Sequence, residues 1–112
     1  MGAVAYQHAD LAAGRWAELP LAFQLANIGS EVSRSLKWQK KGKSDLMNAA
    51  IDRALELFDL SIASASRPSA QYELCRAREE YCDYFFGGNS FRATPANLQR
   101  YYDQFATERV SK

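Results

Sequence analysis

Arg78 carries a permanent positive charge in the middle of what reads as the buried face of a helix. Across residues 74–86, at roughly 100° per residue, Leu74, Tyr81, Cys82 and Phe85 fall on one side with Arg78 among them, while Arg76, Glu79, Glu80 and Asp83 gather opposite. A guanidinium so placed must pair with a carboxylate, extend past the edge of the core, or hold an anionic ligand. A buried pair is the expected solution. Glu31, on the border of the apolar stripe of an earlier helix, is the expected partner. If Arg78 served a site instead, it would hold an anion or small ligand within the bundle.

A second group of residues could grip phosphates. Arg34, Lys37, Lys40, Lys41 and Lys43 surround Trp38, and no acidic residue lies between Val32 and Ser44. Lysine and arginine neutralise a phosphodiester backbone, and tryptophan can stack on a base, so residues 34–43 form a candidate nucleic-acid (RNA) contact. Cations at the end of a helix also complement its dipole, and an acidic face elsewhere in the chain could pair with them.

Catalytic sets are missing. The single histidine, His8, falls in a weakly patterned N-terminal stretch, so nucleophile and metal schemes built on histidine have no support. Asp52, Glu56 and Asp59 cluster, as do Glu79, Glu80 and Asp83, yet both sets face away from the expected core and lack histidine. Gly87-Gly88-Asn89 follows a helix rather than opening one, which is the wrong order for a phosphate loop. Neither metal, cofactor nor enzymatic activity is expected. Cys75 and Cys82 share one helix at a spacing of about 10 Å along its axis, too far for a disulfide between them. They read as small buried apolar groups, with a redox or intersubunit role as the lesser alternative.

The C-terminal half has more aromatic side chains than a helical hairpin can bury. Tyr84, Phe86, Phe91 and Tyr101 are the candidates left for an interface, and a homodimer is the form of association expected.

These residues need elements to hold them. At 112 residues and a net charge of +1, the chain has room for one core and no global pull toward nucleic acid or membrane. Residues 1–16 read as a loose arm, with a helical turn near residues 10–13, and residues 17–112 as one domain. Leu21, Leu25, Ile28, Val32 and Leu36 recur at helical spacing after Pro20, with Gly29 beside the stripe marking a close helix approach. Gly42 is suited to a left-handed cap after Lys40-Lys41. Ser44 is the expected cap of a second helix, whose broad apolar arc from Leu46 to Ile62 makes it the expected central helix, fraying from Ser61 onward. A third helix starts near Pro68 and runs to Phe86. A fourth opens at Thr94-Pro95, places Leu98, Tyr102 and Phe105 on one face, and ends near Glu108. The predicted fold is an all-α, antiparallel four-helix bundle. No apolar run reaches membrane-spanning length and no signal sequence is evident, so a cytoplasmic protein is expected.

The segments Ala26-Asn27-Ile28-Gly29-Ser30-Glu31-Val32 and Arg76-Ala77-Arg78-Glu79 through Tyr84-Phe85-Phe86-Gly87 resemble small prokaryotic helical proteins without an assigned activity. More distantly, the chain is similar to HEPN domains, helical bundles that include ribonucleases and partners of nucleotidyltransferases. Their catalytic signature follows an arginine with a histidine a few residues later. Here Arg76 is followed by Tyr81, and Arg78 by Asp83 and Tyr84. That resemblance implies a bundle that binds partners without nuclease chemistry. The expected function is thus a non-enzymatic interaction module that self-associates and binds a protein partner. RNA binding through residues 34–43 and anion binding at Arg78 stand behind it.

Overall fold

The computed structural model describes residues 14–110, with side chains through residue 106. Most of the arm expected at residues 1–16, including His8 and the turn near residues 10–13, lies outside the described residues. A short 3-10 turn, Trp16–Glu18, leads into α1 (Leu21–Lys40), α2 (Ser44–Ser64), α3 (Pro68–Phe86) and α4 (Pro95–Val110). These helices and their short connections form the all-α four-helix bundle read from the periodicity, with no strand among the described residues.

The helix boundaries follow local chemistry. Pro20 precedes α1, and its carbonyl accepts from the Gln24 N–H at 3.0 Å, starting the helical ladder. Gly42 takes the left-handed conformation, φ 71°, that ends α1. Thr94 caps α4, its Oγ1 accepting from the Asn97 N–H at 3.1 Å. Ser44 departs from expectation: Lys43 occupies the cap position of α2, and no side chain closes that end. Between α3 and α4, Asn89 at φ 55° turns the chain. Its side-chain amide donates to the Ala93 carbonyl at 2.9 Å while its Oδ1 accepts from the Ala93 N–H at 2.8 Å. Asparagine tolerates this backbone shape because a short polar side chain can bond locally.

α1 is the central element, not α2. It packs along both α2 and α4, and nine of its residues are buried against six in α2. Gly29 accounts for the close approach of α4: a Cβ at that position would stand 2.5 Å from the Cβ of Tyr102. The apolar arc of α2 overstated its burial because Leu46, at its exposed start, is 46 % accessible. The core joins Leu25, Ile28, Val32, Ile51, Phe58, Leu74, Tyr81, Leu98 and Tyr102.

Trp16 also belongs to that core, which moves the domain boundary one residue into the expected arm. It is 3 % exposed, its indole N–H donates to Ser61 Oγ at 2.7 Å, and its carbonyl accepts from the Gln24 side chain at 2.9 Å. Ser61 in turn donates to the Leu57 carbonyl at 2.8 Å and is fully buried. The end of α2 is therefore pinned rather than frayed at Ser61.

Candidate functional site

The Arg78–Glu31 pair does not form. Arg78 Nε donates to Asp59 Oδ1 of α2 at 3.0 Å, with the arginine side chain 36 % and the aspartate 61 % exposed. Arg78 is thus a half-exposed residue at the rim of the α2–α3 seam. Its Nη1 also lies 3.9 Å from Cys82 Sγ. The buried residues of α3 are Ala70, Leu74, Ala77 and Tyr81, an arc rotated by roughly 50° from the one drawn through Cys82 and Phe85. Two alanines mark where neighbours approach closely, and a search for bulky apolar groups passes over them.

Glu31 is buried, as expected of an acid facing a neighbouring helix, but other arginines satisfy it. Oε1 accepts from Arg53 Nε of α2 at 3.1 Å, and Oε2 lies 3.0 Å from Arg34 Nη1 one turn along α1. One carboxylate therefore ties α1 to α2. Arg34, counted among the cations of the basic segment, spends part of its charge here.

The rest of that segment is uncompensated. Among the described residues, no carboxylate lies within ion-pair distance of Lys37, Lys40, Lys41 or Lys43. The acidic face of α2 does not reach them. Trp38 is only partly exposed, and its ring lies 4.8 Å from Lys37 Nζ and 5.8 Å from Lys41 Nζ. These cation–π contacts occupy the indole that was expected to stack on a base. Lys37 and Lys40 border a groove between α1 and α4 instead. One part, of about 430 Å³, is lined by Ser30, Ser33, Arg34, Lys37, Gln99 and Asp103, among others. A second part, of about 530 Å³, shares Ser33, Lys37 and Gln99 and adds Leu36, Lys40 and Pro95.

The aromatic candidates divide in two. Tyr84 donates to Gln39 Oε1 at 2.9 Å and stacks edge-on against Phe85, so it ties α3 to α1. Tyr101 donates to Glu73 Oε2 at 2.8 Å and joins α4 to α3; burial and the adjoining Glu73 push its hydroxyl well above its ordinary range. Both hydroxyls are engaged within the chain, Tyr84 in an exposed bond and Tyr101 in a partly buried one. Phe86 is 65 % and Phe91 37 % exposed, and Tyr72, part of the aromatic excess but not among the interface candidates, is 67 % exposed. On α3, Tyr72, Arg76, Glu79, Asp83 and Phe86 share an outward arc of roughly 80°. Phe91 folds back onto it, its ring 5.6 Å from the Arg76 guanidinium and its N–H 3.3 Å from Asp83 Oδ2.

Cys75 is exposed rather than buried, and Cys82 is half-buried; both are free thiols. Burial raises the Cys82 thiol against the opposing influence of Arg78, which disfavours the reactive thiolate. Sequence reasoning also missed Tyr81–Ser35, an entirely buried contact in which the phenol donates at 2.8 Å and the Ser35 hydroxyl in turn donates a hydrogen bond to the Val32 carbonyl at 2.7 Å. Among the described residues no buried side-chain polar atom lacks a partner, and no group of three potential metal ligands occurs. No helix among them is long and apolar enough to cross a membrane. Comparison with models of known protein families, with curated proteins and with solved structures finds no match.

Proposed function

We propose that this chain is a non-enzymatic interaction module of the cytoplasm that pairs with a second copy of itself through the outer face of α3. The observation that carries the reading is the aromatic stripe: Tyr72 and Phe86 are two-thirds exposed at the two ends of one helix face. They lie about 21 Å apart along that helix, with Phe91 beside them. Large aromatic groups anchor interfaces.

The stripe is self-complementary. An antiparallel pairing with its two-fold axis at Glu79 sets Tyr72 against Phe86 of a second copy and brings Arg76 next to the other copy's Asp83. Glu79 would meet its own counterpart at the axis. This like-charge contact limits the affinity and favours a reversible dimer over an obligate one. The exposed free thiol of Cys75 supports a reducing compartment. An anion at Arg78 would have to compete with Asp59 for the guanidinium.

Light scattering across a concentration series tests the pairing. The unaltered chain is expected to approach twice its mass of 12.6 kDa, and the double variant Tyr72→Glu, Phe86→Glu to remain at the single mass with an unchanged helical spectrum. A monomer at every concentration, or a dimer indifferent to both substitutions, would refute it. A mass reached only with another protein added would point to a heterologous partner instead.

A further inference from the structure

We infer that the groove between α1 and α4 binds a single strand of nucleic acid, with phosphates on its lysine rim and a base or sugar on its apolar floor. The inference is independent of the α3 pairing: the groove and the aromatic stripe share no residue.

Three features of the groove fit that occupant together. First, two of its cations have no ion-pair partner among the described residues. Lys37 and Lys40 stand on the rim without a carboxylate partner among the described residues, and Arg34 is only half engaged, its side chain remaining 54 % exposed. A phosphodiester backbone supplies the opposite charge at short, regular intervals and gains counterion release on binding. Second, the rim carries neutral hydrogen-bonding groups between the cations. Ser33 and the Gln99 amide can bond phosphate oxygens or sugar hydroxyls, and Ser30, whose hydroxyl donates to the Ala26 carbonyl, can accept from a sugar hydroxyl; such contacts position a strand without reading its sequence. Third, the floor of the larger part is apolar, with Leu36 and Pro95 between Lys40 and Gln99. A purely ionic partner such as an acidic peptide has no use for that floor, whereas a nucleotide has an apolar base face beside its charge. The crevice lies between two adjacent helices and admits one strand; a duplex, about 20 Å across, is held off its floor.

Asp103 places the strand within the groove. It stands at the far end from Lys40 and bonds the Gln99 amide at 3.0 Å, so phosphates are held toward the Lys37–Lys40 end.

Fluorescence anisotropy with labelled oligouridine and oligodeoxythymidine of about 12 nucleotides tests this. Binding is expected at about 50 mM salt, weakening about 20-fold by about 200 mM if three phosphates are engaged. Lys37→Glu with Lys40→Glu is expected to weaken it at least about 10-fold while the helical spectrum is retained. A preference for the RNA strand would assign the serines to its 2′-hydroxyls, and equal affinity would assign Ser33 to phosphate; both support the groove. Absence of binding to either strand at low salt would overturn the inference. So would binding that ignores the lysine substitutions, or a polyglutamate peptide that binds as tightly as the oligonucleotides.

Discussion

Arg78 and Glu31 both sit at helix seams, but their surroundings give their charges different weights. Arg78 meets Asp59 in a largely solvated setting, where such a pair contributes about 0.2–1 kcal/mol. Arg78→Ala is therefore expected to lower stability by no more than about 1 kcal/mol in a urea titration, well short of the cost of breaking a buried pair. Glu31 is 7 % exposed and serves two arginines, so Glu31→Ala is expected to cost more, about 1–2 kcal/mol. A larger loss at Arg78 than at Glu31 would contradict this ordering.

The buried tyrosines yield a pH signature. Burial lifts the hydroxyls of Tyr81, Tyr101 and Tyr102 above their ordinary value of 10.0, and Glu73 adds to the effect at Tyr101. In the unfolded chain these phenols ionise near pH 10, while in the folded chain they hold their protons. The stability this represents is whole below about pH 10 and is lost as pH rises beyond it. Melting temperature is expected to fall steeply above about pH 10, and the fall to be shallower in Tyr101→Phe. A variant with the same alkaline slope as the parent chain would show that Tyr101 is not among the groups responsible.

At the scale of the helices, Gly29 shows how a local cost supports packing. Alanine is the better helix former by about 1 kcal/mol, yet its methyl group would be driven into Tyr102. Gly29→Ala is expected to destabilise by about 1–3 kcal/mol through overpacking of the α1–α4 contact, measured by thermal or urea unfolding. A stabilised variant would mean that α4 shifts freely. Gly29 was legible in the sequence because glycine weakens a helix, and its place beside an apolar stripe leaves room for a neighbouring backbone. Thr94-Pro95 and Gly42 were legible because capping chemistry is local to the backbone it closes. What periodicity could not supply was rotation. In α3 the buried face includes Ala70 and Ala77, so weighting by side-chain size turned the helix toward Cys82 and brought Arg78 inward. Side-chain partners across helices were hidden as well: Glu31 was the expected acid for Arg78 and Asp59 was placed on an outward face, and the packing of α2 against α3 brings Asp59 to Arg78 instead. Trp16 escaped because an anchor one turn ahead of the first long helix has no periodicity of its own.

For the molecule as a whole, the bundle separates two surfaces of different chemistry. The lysine rim of the α1–α4 groove lacks internal carboxylate partners among the described residues, and the outer face of α3 displays aromatics beside mixed charge. Among the described residues every buried side-chain polar atom has a partner and no group of three potential metal ligands occurs. Self-association through α3 would present two such grooves in one particle, raising the avidity for a strand long enough to span both. The pairing itself is tested most directly by cross-linking at its axis. With Cys75→Ser and Cys82→Ser removing the native thiols, Glu79→Cys should be joined rapidly by a short bis-maleimide into a covalent dimer. The same substitution at the exposed Asp52 of α2 should remain monomeric. Equal cross-linking at both positions, or none at residue 79 at concentrations where the parent chain is dimeric, would contradict pairing through α3.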